Sequence, residues 1–226
     1  MQCAAALAEK VSLLPPSHLM ERVSGNADPD VYRQVGQRAA HRLLEAVSPA
    51  RDILDWGCGP GRIAAHLVGI ADVNLYGCDP DPEAVAWCDE HLAPGRFTVS
   101  ELYPPLPYAD DSFDAVLAVS VMTHLRRRVQ HKWLVELARV LRPDGVLVAT
   151  VHGQAAAEGF GITGLTGIQD HYLDPFMAGV LPAAYYRTVL QSEQYTRMAW
   201  SNRFDIVAYE EAGLELHDLV ICRRKD

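Results

Sequence analysis

Between residues 51 and 61 an apolar run, Ile53-Leu54, ends in Asp55, and glycines follow at alternate positions, Gly57, Gly59 and Gly61, separated by Cys58 and Pro60. Glycines so placed let the backbone turn through positive φ and remove the Cβ atoms that would hold a ligand off the main chain. A dinucleotide fingerprint would need Gly-x-Gly-x-x-Gly, but its sixth position here is Arg62, whose bulk opposes the close helix packing that a third glycine allows. A second acid, Asp79, stands 18 residues after Gly61 at the end of the apolar run Val73 to Cys78. That is close to the separation at which a doubly wound fold presents a carboxylate to ribose hydroxyls. Asp81-Pro82-Glu83 opens the next helix, so Asp81 is the natural cap and Asp79, with Pro80 beside it, is left for a ligand. A third cluster, Ser120-Val121-Met122-Thr123-His124, closes an apolar run from Ala115. Ligands of open parallel sheets sit at carboxyl strand ends, which puts Ser120 and Val121 at the ligand and His124 where a reacting group would stand.

These residues need a parallel sheet to bring them together, and the pattern supplies one. Apolar runs at Ile53-Leu54, Val73 to Cys78, Phe97 to Val99, Ala115 to Ser120 and Val146 to Val151 alternate with helix-compatible segments, Arg62 to Val68, Asp81 to His91 and Val129 to Val140. Met198 to Ala208 and Gly213 to Cys222 are expected as the last strands. Ahead of the sheet, Val31, Val35, Ala39, Leu43, Leu44 and Val47 recur every three or four residues from Asp30 to Val47, as on an amphipathic helix. Residues 1–30, broken by Pro15-Pro16, Gly25-Asn26 and Asp28-Pro29, read as an arm. The expected division is therefore arm and helix over 1–47, then one domain over 48–226.

Within that domain, residues 152–195 mix glycines with aromatics and histidines, among them His152, Phe160, His171, Tyr172, Phe176, Tyr185 and Tyr186. An insertion of this length before the last strands is expected to hang over the strand ends as a substrate lid. His124 leads the candidates for a general base, followed by His152 and then Tyr172 or Tyr186.

Composition narrows the partners. The 226 residues carry 20 basic and 29 acidic side chains, a net charge of −9 that opposes nucleic-acid binding. Five cysteines with no Cys-x-x-Cys pair fit a reducing cytoplasm better than a disulfide framework or zinc site. No apolar run approaches a membrane span, and no His-Glu-x-x-His or other metal signature is present.

Asp55-x-Gly57-x-Gly59-x-Gly61 resembles the cofactor loop of class I S-adenosylmethionine (SAM)-dependent methyltransferases. Leu106-Pro107-Tyr108-Ala109-Asp110-Asp111-Ser112-Phe113-Asp114 is similar to that family's LP-x-x-D-x-SFD segment. Tyr185-Tyr186-Arg187-Thr188, Trp200-x-x-x-Phe204 and the closing Asp218 to Arg224 resemble a subset of small bacterial members. The resemblance covers about residues 30 to 226. It implies a Rossmann-like α/β fold with a seven-stranded, mainly parallel sheet closed by an antiparallel hairpin. It implies SAM as cofactor, its carboxylate at the glycine loop, with Tyr32 and Arg38 reaching it from the preceding helix and Glu101-Leu102 meeting the adenine. The expected activity is methyl transfer to a small-molecule oxygen or nitrogen nucleophile by a monomer or homodimer. Methylation of protein or RNA, and use of the fold as a cyclase or SAM-binding regulator, remain as alternatives.

Overall fold

Strand β1 (Asp52–Trp56) runs through the middle of a seven-stranded sheet because both its faces are apolar: Ile53 and Leu54 are wholly buried on opposite sides. The computed structural model describes residues 13–173 and 175–225; the first part of the expected arm lies outside the described residues. β1 pairs in parallel with β2 (Asn74–Asp79) and β4 (Phe113–Ala118). β3 (Arg96–Val99) extends the sheet beyond β2, and β5 (Leu141–Val151) beyond β4. The antiparallel pair β9 (His217–Arg224) and β8 (Phe204–Leu214) completes the order β3-β2-β1-β4-β5-β9-β8. Chain order reverses between β1 and β4, so the loops leaving these strands diverge and open a crevice at their carboxyl ends.

Helices cover both faces. On one side Leu43 and Val47 of α2 (Pro29–Val47), and Leu67 of α3 (Ala64–Leu67), join Cys88 of α4 (Pro82–His91) in a cluster around Ile53. On the other, Trp133, Leu134 and Leu137 of α5 (Arg127–Val140) pack with Leu54, Phe113 and Trp200. Before α2 lies a shorter helix, α1 (Ser17–Ser24). The Leu106–Asp114 phrase locks the opposite end of the sheet. Glu136 accepts from the Leu106 N–H at 2.7 Å, and Asp114 accepts from the Arg51 and Asp52 N–H groups at 3.0 and 2.9 Å.

Several boundaries depart from expectation. The helix expected from Arg62 to Val68 shrinks to α3, because the glycine turn continues to Ile63. Leu141 already pairs with Phe113, so β5 begins five residues early and bulges before Val146. The strand expected over Met198 to Ala208 is instead helix α7 (Glu193–Trp200) followed by β8: Ser192 caps the helix at the Tyr195 N–H, and Tyr195, Thr196 and Trp200 recur at helical spacing on its buried face. Gly213 to Cys222 spans the β8–β9 turn as well as strand.

Residues 152–195 carry structure of their own: α6 (Gln154–Gly159), then β6 (Ile168–Leu173) and β7 (Arg187–Gln191), paired in an antiparallel two-stranded sheet. β7 lies against the 3₁₀ turn Met122–His124. Among the described residues no helix is long and apolar enough to cross a membrane.

Candidate active site

After Trp56 the chain turns back on itself with Gly57, Gly59 and Gly61 at φ 79°, 50° and 79°. A Cβ at Gly57 would collide with the Val121 side chain, and one at Gly59 would stand 2.9 Å from Val23, so both positions require glycine for space as well as for φ. The loop's N–H groups are largely committed. Those of Gly57 and Cys58 reach the Cys78 carbonyl at 2.8 and 3.1 Å, Gly61 reaches Cys58 at 3.0 Å, and Gly59 donates to the Asp79 carboxylate at 2.8 Å.

Under this loop lies a cavity of about 910 Å³ counted together with its open mouth, lined in part by Asp55, Arg62, Asp79, Glu101 and Ser120. Asp55 is 2% exposed, and its Oδ2 has no hydrogen-bond partner. Burial, reinforced by the neighbouring Asp79, raises its pKa to about 7. Asp79 also accepts from the Asp81 N–H at 2.8 Å, while Asp81 caps α4 through the Glu83 and Ala84 N–H groups. Burial raises Asp79 to about 6, against the lowering effect of its two N–H donors. Each carboxylate oxygen of Asp79 keeps a second lone pair for a ligand hydroxyl. Ser120 holds φ 59°, a strained setting for a side-chain-bearing residue, with its N–H on Thr150 Oγ1 at 2.7 Å.

A second cavity, about 1,100 Å³ with its mouth, adjoins the first; Arg62, Ser120, His124 and Tyr186 line both. Its further walls are His152, His217, Tyr172, Phe160 and Phe176. His124 Nδ1 faces the Arg187 carbonyl of β7 at 3.1 Å, so Nδ1 carries the proton and Nε2 the lone pair. The Tyr186 hydroxyl stands 2.9 Å from Nε2, the two rings nearly parallel with centroids 3.9 Å apart. Burial, with His152 and His217 nearby, pulls His124 down to about 3; burial likewise lowers His152 to about 4 and His217 to about 3. At neutral pH all three rings are uncharged. His152 Nδ1 is buried without a hydrogen-bond partner.

The expected residues divide accordingly. Asp55, Gly57, Cys58, Asp79, Pro80, Glu101, Ser120 and Val121 meet at the first cavity, and His124, His152, Tyr172 and Tyr186 at the second. Gly59 and Gly61 shape the loop from behind, and Leu102 packs against the core. Tyr32 is buried beneath the loop with its hydroxyl 3.4 Å from the Pro60 carbonyl. Arg38 is a correction: its position on α2 turns it toward the β8–β9 turn, where it grips Glu215 at 2.8 Å with both side chains exposed, and it lines neither cavity. Sequence reasoning passed over His217 and Arg22, which arrive from distant segments, and weighed Arg62 only for its bulk. Among the described residues no cluster of three or more His, Cys, Asp or Glu side chains is arranged to hold a metal ion.

Residues 54–149 match a family model described as a methyltransferase domain. The chain is 32% identical over 126 residues to Methyltransferase GfsG of Streptomyces halstedii, covering 52% of this chain and 44% of that one. It is 31% identical over 122 residues to O-methyltransferase cnsE of Penicillium expansum, covering 50% and 43%. The chain thus matches less than half the length of these curated relatives. Among solved structures, the PH0226 protein from Pyrococcus horikoshii OT3 superposes with a TM-score of 0.65 at 17% identity, over 86% of this chain and 91% of that one. With the glycine loop, the acid after β2 and the seven-stranded sheet in place, residues 54–149 are similar to a methyltransferase domain, and the chain shares the Rossmann-like fold of solved SAM-dependent methyltransferases.

Proposed function

We propose that this chain transfers the methyl group of SAM to a small-molecule acceptor held under residues 152–195, which serve as its lid. The observation that carries the reading is the pair of adjoining cavities whose shared wall holds Ser120, His124 and Tyr186. Bound SAM supplies an electrophilic methyl on a sulfonium, and its transfer requires chiefly that a nucleophile be held in line in a dry pocket. The buried, unpartnered Oδ2 of Asp55 suits the donor's ammonium, Asp79 the ribose hydroxyls, and Glu101 the adenine side.

In the acceptor cavity Phe160, Tyr172 and Phe176 supply apolar surface for a compact, largely uncharged molecule. His124, fixed as the Nδ1–H tautomer, offers Nε2 to a proton arriving directly or through the Tyr186 hydroxyl. A base that weak takes the proton only as the new bond to the methyl carbon forms, when the sulfonium leaves as a neutral thioether and the positive charge passing to the attacked hydroxyl or amine makes its proton acidic. The relatives named methyltransferase and O-methyltransferase support this class of chemistry.

The test incubates the protein with SAM labelled at the methyl group and three panels: small hydroxyl and amine compounds, peptides, and RNA. Label transfer to a small compound with stoichiometric S-adenosylhomocysteine is expected. Transfer confined to peptide or RNA would displace the acceptor assignment. Tight donor binding without transfer in any panel would favour a cyclase or regulator.

A further inference from the structure

The amino-acid end of SAM carries a carboxylate as well as an ammonium, and the glycine loop leaves little to receive it. The N–H groups of Gly57, Cys58, Gly59 and Gly61 already have acceptors within the protein. The helix beyond them, α3, is four residues long and starts only at Ala64, too short and too late for its N-terminus to serve. Arg22 also lines the donor cavity, but its guanidinium is engaged by Asp81 at 2.7 Å and Glu83 at 2.8 Å.

Arg62 is different. Its guanidinium makes one hydrogen bond among the described residues, 3.3 Å from Nη1 to the Val23 carbonyl, and no ion pair. Asp55 and Glu215 attract it through space, yet Glu215 is already engaged by Arg38. A largely enclosed guanidinium with donors to spare, on the wall of a cavity that takes a zwitterion, is an unanswered positive charge.

Building on the SAM reading above, we propose that Arg62 is the receptor for the donor's carboxylate, so that Asp55 and Arg62 clamp the two charges of its amino-acid end from opposite signs. The loop then contributes shape and close approach while a side chain contributes the anion site.

Calorimetry with SAM and with decarboxylated SAM, which differ only in that carboxylate, tests the assignment. The wild-type protein should bind SAM roughly 10- to 100-fold more tightly than the decarboxylated form. Arg62→Met, which keeps the apolar stem, should erase that preference by weakening SAM alone, and Arg62→Lys should restore part of it. Equal weakening of both ligands, or no change in either, would overturn the proposal. Equal affinities in the wild-type protein would do so without any variant, which matters if Arg62→Met fails to fold by circular dichroism. If the wild-type protein binds neither ligand, the SAM reading itself is wrong and the clamp falls with it.

Discussion

In the free protein Asp55 keeps a carboxylate oxygen buried and unpaired, and its pKa of about 7 lies well above the ordinary 3.8. A carboxyl raised in the folded state destabilises the fold when it ionises: the cost is absent below pH 4, grows as pH rises between the two values and is complete above 7. Asp55→Asn should therefore raise the melting temperature by several degrees at pH 8 and leave it unchanged at pH 4, while weakening SAM roughly tenfold or more. Because the ammonium needs the ionised form, calorimetric affinity of the wild-type protein should climb with pH up to about 7 and then level off. The three lowered histidines give a separate readout. In ¹⁵N spectra His124, His152 and His217 should remain neutral at pH 5.5, with the His124 proton on Nδ1. A charged His124 ring at that pH would contradict the buried setting. Asp55 and Asp79 were legible in the sequence because local spacing alone places an acid at the end of β1 and of β2. Arg62 and His217 were not, since what brings them to the same cavity is the packing of segments about 155 residues apart.

A polar ladder ties β7 to α5, to the 3₁₀ turn and to α7. Gln130 of α5 donates to the Met122 carbonyl at 2.9 Å and to Gln191 Oε1 at 2.7 Å, and Gln191 passes a bond of 2.8 Å to Thr196 of α7. All three side chains are buried, so each lost partner strands another polar group. Gln191→Ala should loosen β7 against the 3₁₀ turn that carries His124. The expected result is faster hydrogen exchange over 187–191 and acceptor kcat/KM reduced roughly tenfold, with SAM affinity within twofold of wild type. Unchanged exchange would show that the ladder does not hold the strand. The sequence marked 152–195 as a segment with a purpose through its aromatics and glycines. Its β6–β7 pairing escaped notice, because two short strands separated by 13 residues leave no hairpin signature. Helix α7 escaped as well, because its Ser192 cap is one polar residue among several, from Gln191 to Gln194, and does not stand out as a start signal.

At the scale of the whole molecule the crevice is closed by parts remote in sequence: α1 presses Val23 toward Gly59 and Gly25 toward Phe176, while Arg22 ties that helix to Asp81 and Glu83 at the start of α4. A ligand spanning these parts couples them. SAM at about 100 times its dissociation constant should raise the melting temperature by about 5–10 °C, measured by scanning fluorimetry. A shift of less than a degree at saturation would mean that the donor does not engage the folded cleft. The sheet itself was foreseeable from five apolar runs; the roof was not, because α1 is positioned by charge pairs with a helix some sixty residues later. One contact gives this arrangement a temporal meaning. The proton on His124 is fixed by a carbonyl belonging to β7, a strand of the segment proposed as a lid. Were that strand to part from the turn, the ring would lose the acceptor that fixes its tautomer and aims its lone pair, so an uncovered site would be a disarmed one. Turnover would then be licensed by closure and cancelled by release.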